Sequence, residues 1–129
     1  MIGDLKSSSG LVGGDAAKLR TGPDGPLANT PFRDVLARAI AVQEVNAAMG
    51  VIVAAPTAGG AGVLPAVLTG IANARGIDDE LVISALATAG LIGAVVAERA
   101  SLSGAEGGCQ AETGAAAGMA AGAAVEMLG

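Results

Sequence analysis

Residues 78–100 read DDELVISALATAGLIGAVVAERA, and this stretch decides the class of fold. Three acidic residues open it, and residues 81–97 carry no charge. Because carboxylates stabilise the positive N-terminal end of a helix, the pattern predicts a long apolar helix over about Asp79–Ala100. The uncharged run only marginally reaches the length of a membrane span, and the chain has no Trp or Tyr to mark a membrane interface. A buried helix of a soluble assembly is the favoured interpretation, and a membrane-associated helix is the alternative.

Local signals predict helices in the rest of the chain as well. Thr30 followed by Pro31 is typical of an N-cap with proline at the first helical position. The predicted segments are a short turn capped by Asp15 and running to Leu19, a helix over about Phe32–Met49, a helix over Val63–Ala74 that stops at Gly76, and a last helix that follows the loop 101–108 and continues to Met127. Strand-like alternation persists nowhere in the sequence. We therefore expect an all-α domain of about four helices over residues 1–129, with a loop-rich segment over residues 1–30.

The composition indicates how these helices pack. The 129 residues suit one domain, and 30 of them are Ala and 21 are Gly. Burying one methyl group contributes only about 0.8 kcal/mol, so such helices gain more from close backbone approach than from filling volume. A small domain of this kind has a thin stability margin. We therefore expect a partner surface, covered by another copy, a second subunit or further sequence.

Composition also excludes several classes of function. The chain has no His and one Cys, which excludes Ser-His-Asp or Cys-His catalysis within it, an intramolecular disulfide and a zinc finger. Its net charge of −5 and its lack of aromatic stacking residues argue against nucleic acid as a partner. Met1 to Ser9 contain no apolar core of a secretory signal, so the expected location is cytoplasmic.

Two glycine-rich loops open predicted helices, at residues 55–62 and 101–109. Free backbone amides at a helix N-terminus bind anions, and glycine lets a ligand approach the backbone. The alternative is that the glycines only permit tight turns. Cys109 lies at the predicted start of the last helix, where a thiol is suited to act as a nucleophile or metal ligand; the alternative is an inert core cysteine.

Some acidic residues allow more than one interpretation. Glu44 and Asn46 are two positions apart and point to different helix faces, and we expect Asn46 to be the one that faces inward. Glu106 and Glu112 are either a general-base pair or, as we favour, solvated carboxylates.

Four motifs occur in a specific order. They are SGLVGGD at residues 9–15, EVNAAMG at residues 44–50, AAPTAG at residues 54–59 and SGAEGGCQAE at residues 103–112, the last followed by Gly114 and by Met119-Ala120-Ala121. Together they resemble the alpha chain of iron–sulfur L-serine dehydratase, also called L-serine ammonia-lyase. The resemblance covers nearly the whole chain and matches about the N-terminal half of that alpha chain. Val12 stands where the family pattern leads us to expect Thr, and Gly60-Ala61 stand where Ser-Cys is common.

This resemblance implies a lyase of amino-acid metabolism and gluconeogenesis that converts L-serine to pyruvate and ammonia by eliminating water. It implies a four-iron, four-sulfur cluster held by three cysteines, of which Cys109 matches the first; the other two lie downstream of this motif. The substrate-binding residues that it implies are Ser9, Gly10, Gly14, Asp15, Thr57, Gly59, Ser103 and Gly104. The catalytic base is not identified.

The resemblance also implies partners. A beta chain or the C-terminal half of the alpha chain would complete the site, with a homo-oligomer as a further expectation. The competing hypothesis is a non-catalytic helical module whose role is packing or oligomerisation.

Overall fold

A computed structural model describes residues 5–23 and 25–129. Five helices make up the architecture: α1 (Asp15–Thr21), α2 (Pro31–Ala47), α3 (Val63–Arg75), α4 (Asp79–Arg99) and α5 (Gly104–Leu128). Within those two ranges the extended backbone forms only an isolated bridge between Lys6 and Gly13. The all-α prediction is confirmed, and the helix beyond the expected four is the short α1.

Most helix ends lie where local signals place them. Thr30 is extended, with φ −111° and ψ 144°, and Pro31 begins α2 as predicted. The Thr30 hydroxyl does not cap the helix, because it donates to the carbonyl of Leu27 at 2.8 Å. At α4 the Asp78 carboxylate accepts a hydrogen bond from the backbone N–H of Leu81 at 2.9 Å. Gly76 ends α3 in a left-handed conformation, with φ 65°, that favours glycine.

The prediction that Asp15 caps a short turn is wrong. Gly14 occupies the N-cap position with φ 84°, and Asp15 is the first residue of α1, which extends to Thr21. The side chain of Glu44 on α2 instead accepts hydrogen bonds from the backbone N–H groups at this helix start. The sequence around Asp15 could not reveal that distant partner.

Helix α5 contains a break near its beginning. Ser103 caps it, since its hydroxyl accepts a hydrogen bond from the N–H of Ala105 at 3.1 Å. Gly108 then interrupts the helix with φ 75° and ψ 177°. The continuous part of α5 therefore begins at Cys109, which is where the sequence predicted the last helix to start.

The helices pack in the spatial order α1, α2, α3, α5 and α4, each against the next. Among the residues that the structure describes, the buried hydrophobic ones are all Ala except Leu64, Leu68, Met119 and Met127. The small side chains bring backbones together: a methyl group at Gly62 would overlap the carbonyl of Ala39 on α2. The structure thus uses Ala and Gly for close helix approach, as the composition predicted.

Helix α4 buries only one narrow side. Its buried residues are the small Ala85, Ala89 and Gly93, whereas its larger apolar residues Ile83, Leu86, Leu91 and Val95 are at least half exposed. The helix is long and apolar enough to cross a membrane, but only 17% of that apolar window is buried in this chain. One such helix is weak evidence for a membrane span, because core helices of soluble proteins meet the same criterion. The exposed side of α4 is a surface that none of the described residues covers.

Candidate functional site

A pocket of about 260 Å³ opens where the loop before α1, the C-terminal half of α2 and the start of α3 meet. Its lining residues are Val12, Asp15, Ala39, Ile40, Gln43, Glu44, Gly59, Gly62 and Val63. Three of the four sequence motifs therefore contribute to one cavity. Of the predicted substrate-binding residues, Asp15 and Gly59 are among those that line it.

Glu44 is the buried charged residue of this site. Its side chain is 2% exposed, and Oε1 accepts hydrogen bonds from the backbone N–H groups of Asp15 at 2.6 Å and Ala16 at 3.1 Å. These amides at the start of α1 are thereby occupied by a protein carboxylate. Oε2 is buried and has no hydrogen-bond partner among the residues that the structure describes. The carboxylate therefore anchors α1 with one oxygen and leaves the other free.

The expectation that Asn46 faces inward is wrong. Helix α2 buries Ala37, Ala41 and Glu44, which recur at helical spacing on one side. Asn46 is half-buried, and its amide donates to Oε1 of Gln43 at 3.3 Å. Glu44 is tolerated inside because α1 supplies two N–H donors, and that pairing spans nearly thirty residues of sequence.

Gln43 joins α2 to the glycine-rich loop at residues 55–62. Its Nε2 donates to the carbonyls of Ala58 at 3.2 Å and Gly59 at 3.0 Å. In the same loop, Thr57 is half-buried, and its Oγ1 is a buried atom without a hydrogen-bond partner within residues 5–23 and 25–129. The sequence pointed to Thr57 but not to Gln43, since a glutamine on a helix carries no signal of a loop contact.

Glu112 connects this loop to the fourth motif. A Cβ atom placed on Gly59 would lie 2.6 Å from Oε2 of Glu112, and one placed on Gly104 would lie 2.7 Å from the same oxygen. The carboxylate therefore occupies the space that both glycines leave open. Glu112 is half-buried rather than fully solvated. Gly104 reaches the neighbourhood of the 54–59 loop through this contact.

Glu106 and Glu112 do not share a partner. Glu106 is exposed and its Oε2 accepts a hydrogen bond from the hydroxyl of Ser101 at 2.7 Å. Glu112 lies instead against Gly59 and Gly104. The arrangement gives the two carboxylates separate surroundings, and it does not assemble the general-base pair that was the alternative interpretation.

The first motif forms a small hairpin at the edge of the pocket. The N–H of Ser7 donates to the carbonyl of Val12 at 2.8 Å, and the hydroxyl of Ser9 lies 3.1 Å from that of Ser7. Ser9 and Gly10 are exposed. Their role in substrate binding, like that of the other residues implied by resemblance, stays a prediction.

Asp15 and Lys18 form an ion pair at the start of α1. The Lys18 ammonium donates to Oδ1 of Asp15 at 2.9 Å, and both side chains are largely exposed. This hydrogen bond, reinforced by the charge of the carboxylate, raises the pKa of Lys18 above its ordinary value. Lys18 is therefore a cation that Asp15 already pairs with.

Cys109 is an exposed thiol at the start of the continuous part of α5. Its exposure rules out the interpretation as an inert core cysteine. Among the described residues, no three His, Cys, Asp or Glu side chains group so as to hold a metal ion. An iron–sulfur cluster is bound through several thiolates, so the residues of this chain by themselves do not fit such a cluster.

Comparisons with known proteins agree with the motif assignment. Residues 2–129 match the family described as "Serine dehydratase alpha chain". The "Probable L-serine dehydratase, alpha chain" of Bacillus subtilis (strain 168) is 52% identical over 131 residues, which cover 97% of this chain and 42% of the relative. The "L-serine dehydratase, alpha chain" of Peptoniphilus asaccharolyticus is 49% identical over 100 residues, covering 74% of this chain and 34% of the relative.

A third relative, the "L-serine dehydratase" of Streptomyces coelicolor, is 53% identical over 92 residues, covering 70% of this chain and 20% of the relative. The chain thus spans less than half the length of each of these three proteins. No solved structure matches it. Because the family match extends over almost every residue and three of the four motifs line one pocket, the chain belongs to the serine dehydratase alpha chain family.

Proposed function

We propose that this chain forms the substrate-binding part of an L-serine ammonia-lyase, which deaminates L-serine to pyruvate and ammonia. The observation that carries the proposal is the convergence of the four motifs. Glu44 bonds the start of α1, the neighbouring Gln43 bonds the 54–59 loop, and Glu112 lies against both Gly59 and Gly104. Identities near 50% to relatives named L-serine dehydratase support the same reaction.

The chain's own residues are suited to binding and orienting a small amino acid. Gly59, Gly62 and Val63 line the pocket at the start of α3, a helix of 13 residues whose N-terminal end carries a partial positive charge. We assign the substrate carboxylate to this end of the pocket. Thr57, with its unpartnered buried hydroxyl, is the first candidate for an additional polar contact.

Cys109 is the one thiolate that this chain can contribute to an iron–sulfur cluster. We propose that the remaining ligands lie outside this sequence, in a further part of the alpha chain or in a beta chain. A cluster with an open iron would supply Lewis-acid chemistry when bound. The cytoplasm is the proposed location of the assembled enzyme.

The test uses the assembled enzyme that contains this chain, with its iron–sulfur content reconstituted without oxygen. We expect pyruvate and ammonia in equal amounts from L-serine. Cys109→Ser should abolish pyruvate formation and lower the bound iron, and because Cys109 is exposed, it should leave the free energy of unfolding within about 0.5 kcal/mol. Ala117→Ser, which introduces the same residue at another exposed position of α5, is the matched control.

Absence of pyruvate from the reconstituted wild-type assembly would reject the proposed reaction. Unchanged iron content in the Cys109→Ser assembly would reject only the role of Cys109. If Cys109→Ser changes neither property and the wild type is inactive, the non-catalytic packing module becomes the better interpretation. The uncovered apolar side of α4 is the observation that favours that second candidate.

A further inference from the structure

The carboxylate of Glu44 is buried and only half used. Oε1 accepts two backbone hydrogen bonds, whereas Oε2 has no partner in the described part of the chain. A carboxylate removed from water is costly unless its oxygens are bonded or its charge is paired. Anchoring α1 requires only one of the two oxygens. The second oxygen is therefore available to accept a hydrogen bond from a ligand.

The surroundings of Glu44 select the kind of group that Oε2 would bind. Glu44 lines the 260 Å³ pocket, and the other ionisable lining residue, Asp15, is also acidic. Lys18, the cation that contacts Asp15, is paired with that carboxylate and largely exposed. A pocket with two acids and no basic lining residue favours a ligand group that carries positive charge and donates hydrogen bonds.

We propose that Oε2 of Glu44 binds the α-ammonium group of the amino-acid substrate. This inference rests on the proposed function and adds a residue to its binding site. The ammonium would donate a hydrogen bond to the second oxygen of the buried carboxylate. The substrate carboxylate would lie toward the N-terminal end of α3 in the same pocket. Opposite charges at the two ends of the pocket match the zwitterion of an α-amino acid.

Glu44→Gln separates this role from the structural one. The glutamine retains an amide oxygen that can accept from the N–H groups of Asp15 and Ala16, and it replaces the free oxygen with a neutral NH2 group. Slow hydrogen exchange of those two amides in the variant confirms that α1 remains anchored. Glu126→Gln is the control, since that exposed carboxylate accepts hydrogen bonds from Ser84 and Thr88 on α4 and does not line the pocket.

The experiment measures the KM for L-serine and the inhibition constants of L-alanine and propanoate, two unreactive analogues that differ only in the ammonium group. In the wild-type assembled enzyme, L-alanine should inhibit at least about 10-fold more tightly than propanoate. In Glu44→Gln, the KM for L-serine and the inhibition constant of L-alanine should rise about 10- to 100-fold, while that of propanoate stays unchanged. Glu126→Gln should alter none of them.

Three results would overturn the inference: equal inhibition of the wild type by both analogues, equal weakening of both by Glu44→Gln, or an unchanged KM for L-serine in that variant. The first needs no variant, so the inference is testable even if Glu44→Gln were to misfold. Each of these results can occur in an enzyme that converts L-serine to pyruvate. They are therefore distinct from a wild-type assembly that forms no pyruvate, which would reject the proposed function itself.

Discussion

The two oxygens of Glu44 have different roles: Oε1 stabilises the fold, and Oε2 is the proposed ligand-binding atom. Oε1 holds the N–H groups of Asp15 and Ala16, and Ala16 is fully buried, so its amide has no access to water if the carboxylate is lost. A buried N–H group without an acceptor is among the larger causes of a lowered free energy of unfolding. The start of α1 therefore depends directly on the Glu44 side chain.

We predict that Glu44→Ala lowers the free energy of unfolding by about 1–2 kcal/mol, because two amides lose their acceptor. Glu44→Gln should lower it by less than about 1 kcal/mol, because the acceptor remains. Urea unfolding followed by circular dichroism measures both values, and hydrogen exchange at Ala16 reports the local effect. Equal stability of the two variants would show that the hydrogen bonds to α1 contribute little.

Single residues of the site were predictable only where their roles are local. Cys109 follows from its neighbouring residues, and the structure places it at the start of the continuous part of α5 as the sequence indicated. Ser103, which the sequence placed within a loop, instead caps α5. Glu44 was misassigned because its partners lie on another helix, and burial of a charged residue is improbable without them. Gln43 gave no signal, since its acceptors are carbonyls of a distant loop.

At the scale of helices, the ends of α2, α3 and α4 were predicted to within about two residues. Thr30-Pro31, Gly76 and the acids at residues 78–80 act on the backbone next to them, so short-range reasoning suffices. The full length of α1 was not predictable, because its amides are satisfied by Glu44. The contact between α4 and α5 depends on side-chain size along both helices.

We predict that Ala89→Leu lowers the free energy of unfolding by about 1–3 kcal/mol. Ala89 is fully buried in a cluster that also contains Met119 and Ala120, so a larger side chain must push α4 away from α5. Gly90→Ala is the matched control on the next position: it is exposed, and its added methyl group meets no atom within 4 Å.

The control should raise stability by about 0.5–1 kcal/mol, since alanine orders a helix at lower entropic cost than glycine. Thermal and urea unfolding of both variants measure the two effects. If Ala89→Leu were as stable as the wild type, the α4–α5 contact would be looser than the structure indicates.

At the scale of the molecule, the sequence located the four motifs, and the fold places the first next to α2 and the fourth next to the 54–59 loop. Their convergence was expected from the resemblance, but the specific links through Glu44, Gln43 and Glu112 required the three-dimensional arrangement. The composition predicted an uncovered surface without saying where it lies. The structure assigns it to α4, whose small residues face α5 and whose larger apolar residues face outward.

We predict that this outward side is covered by protein, so the isolated chain should sediment as an oligomer. Leu91 and Val95 are 71% and 57% exposed one helical turn apart, and exposed apolar patches of this kind drive association. The double variant Leu91→Lys, Val95→Lys should shift the chain toward the monomer, whereas Glu98→Gln on the same helix should not. Analytical ultracentrifugation over a range of concentrations measures the shift. A folded wild-type monomer would contradict the prediction. If the wild type sedimented with lipid vesicles and the double variant did not, the membrane-associated alternative would be favoured. Among the described helices, α4 alone has the length and hydropathy for such a span.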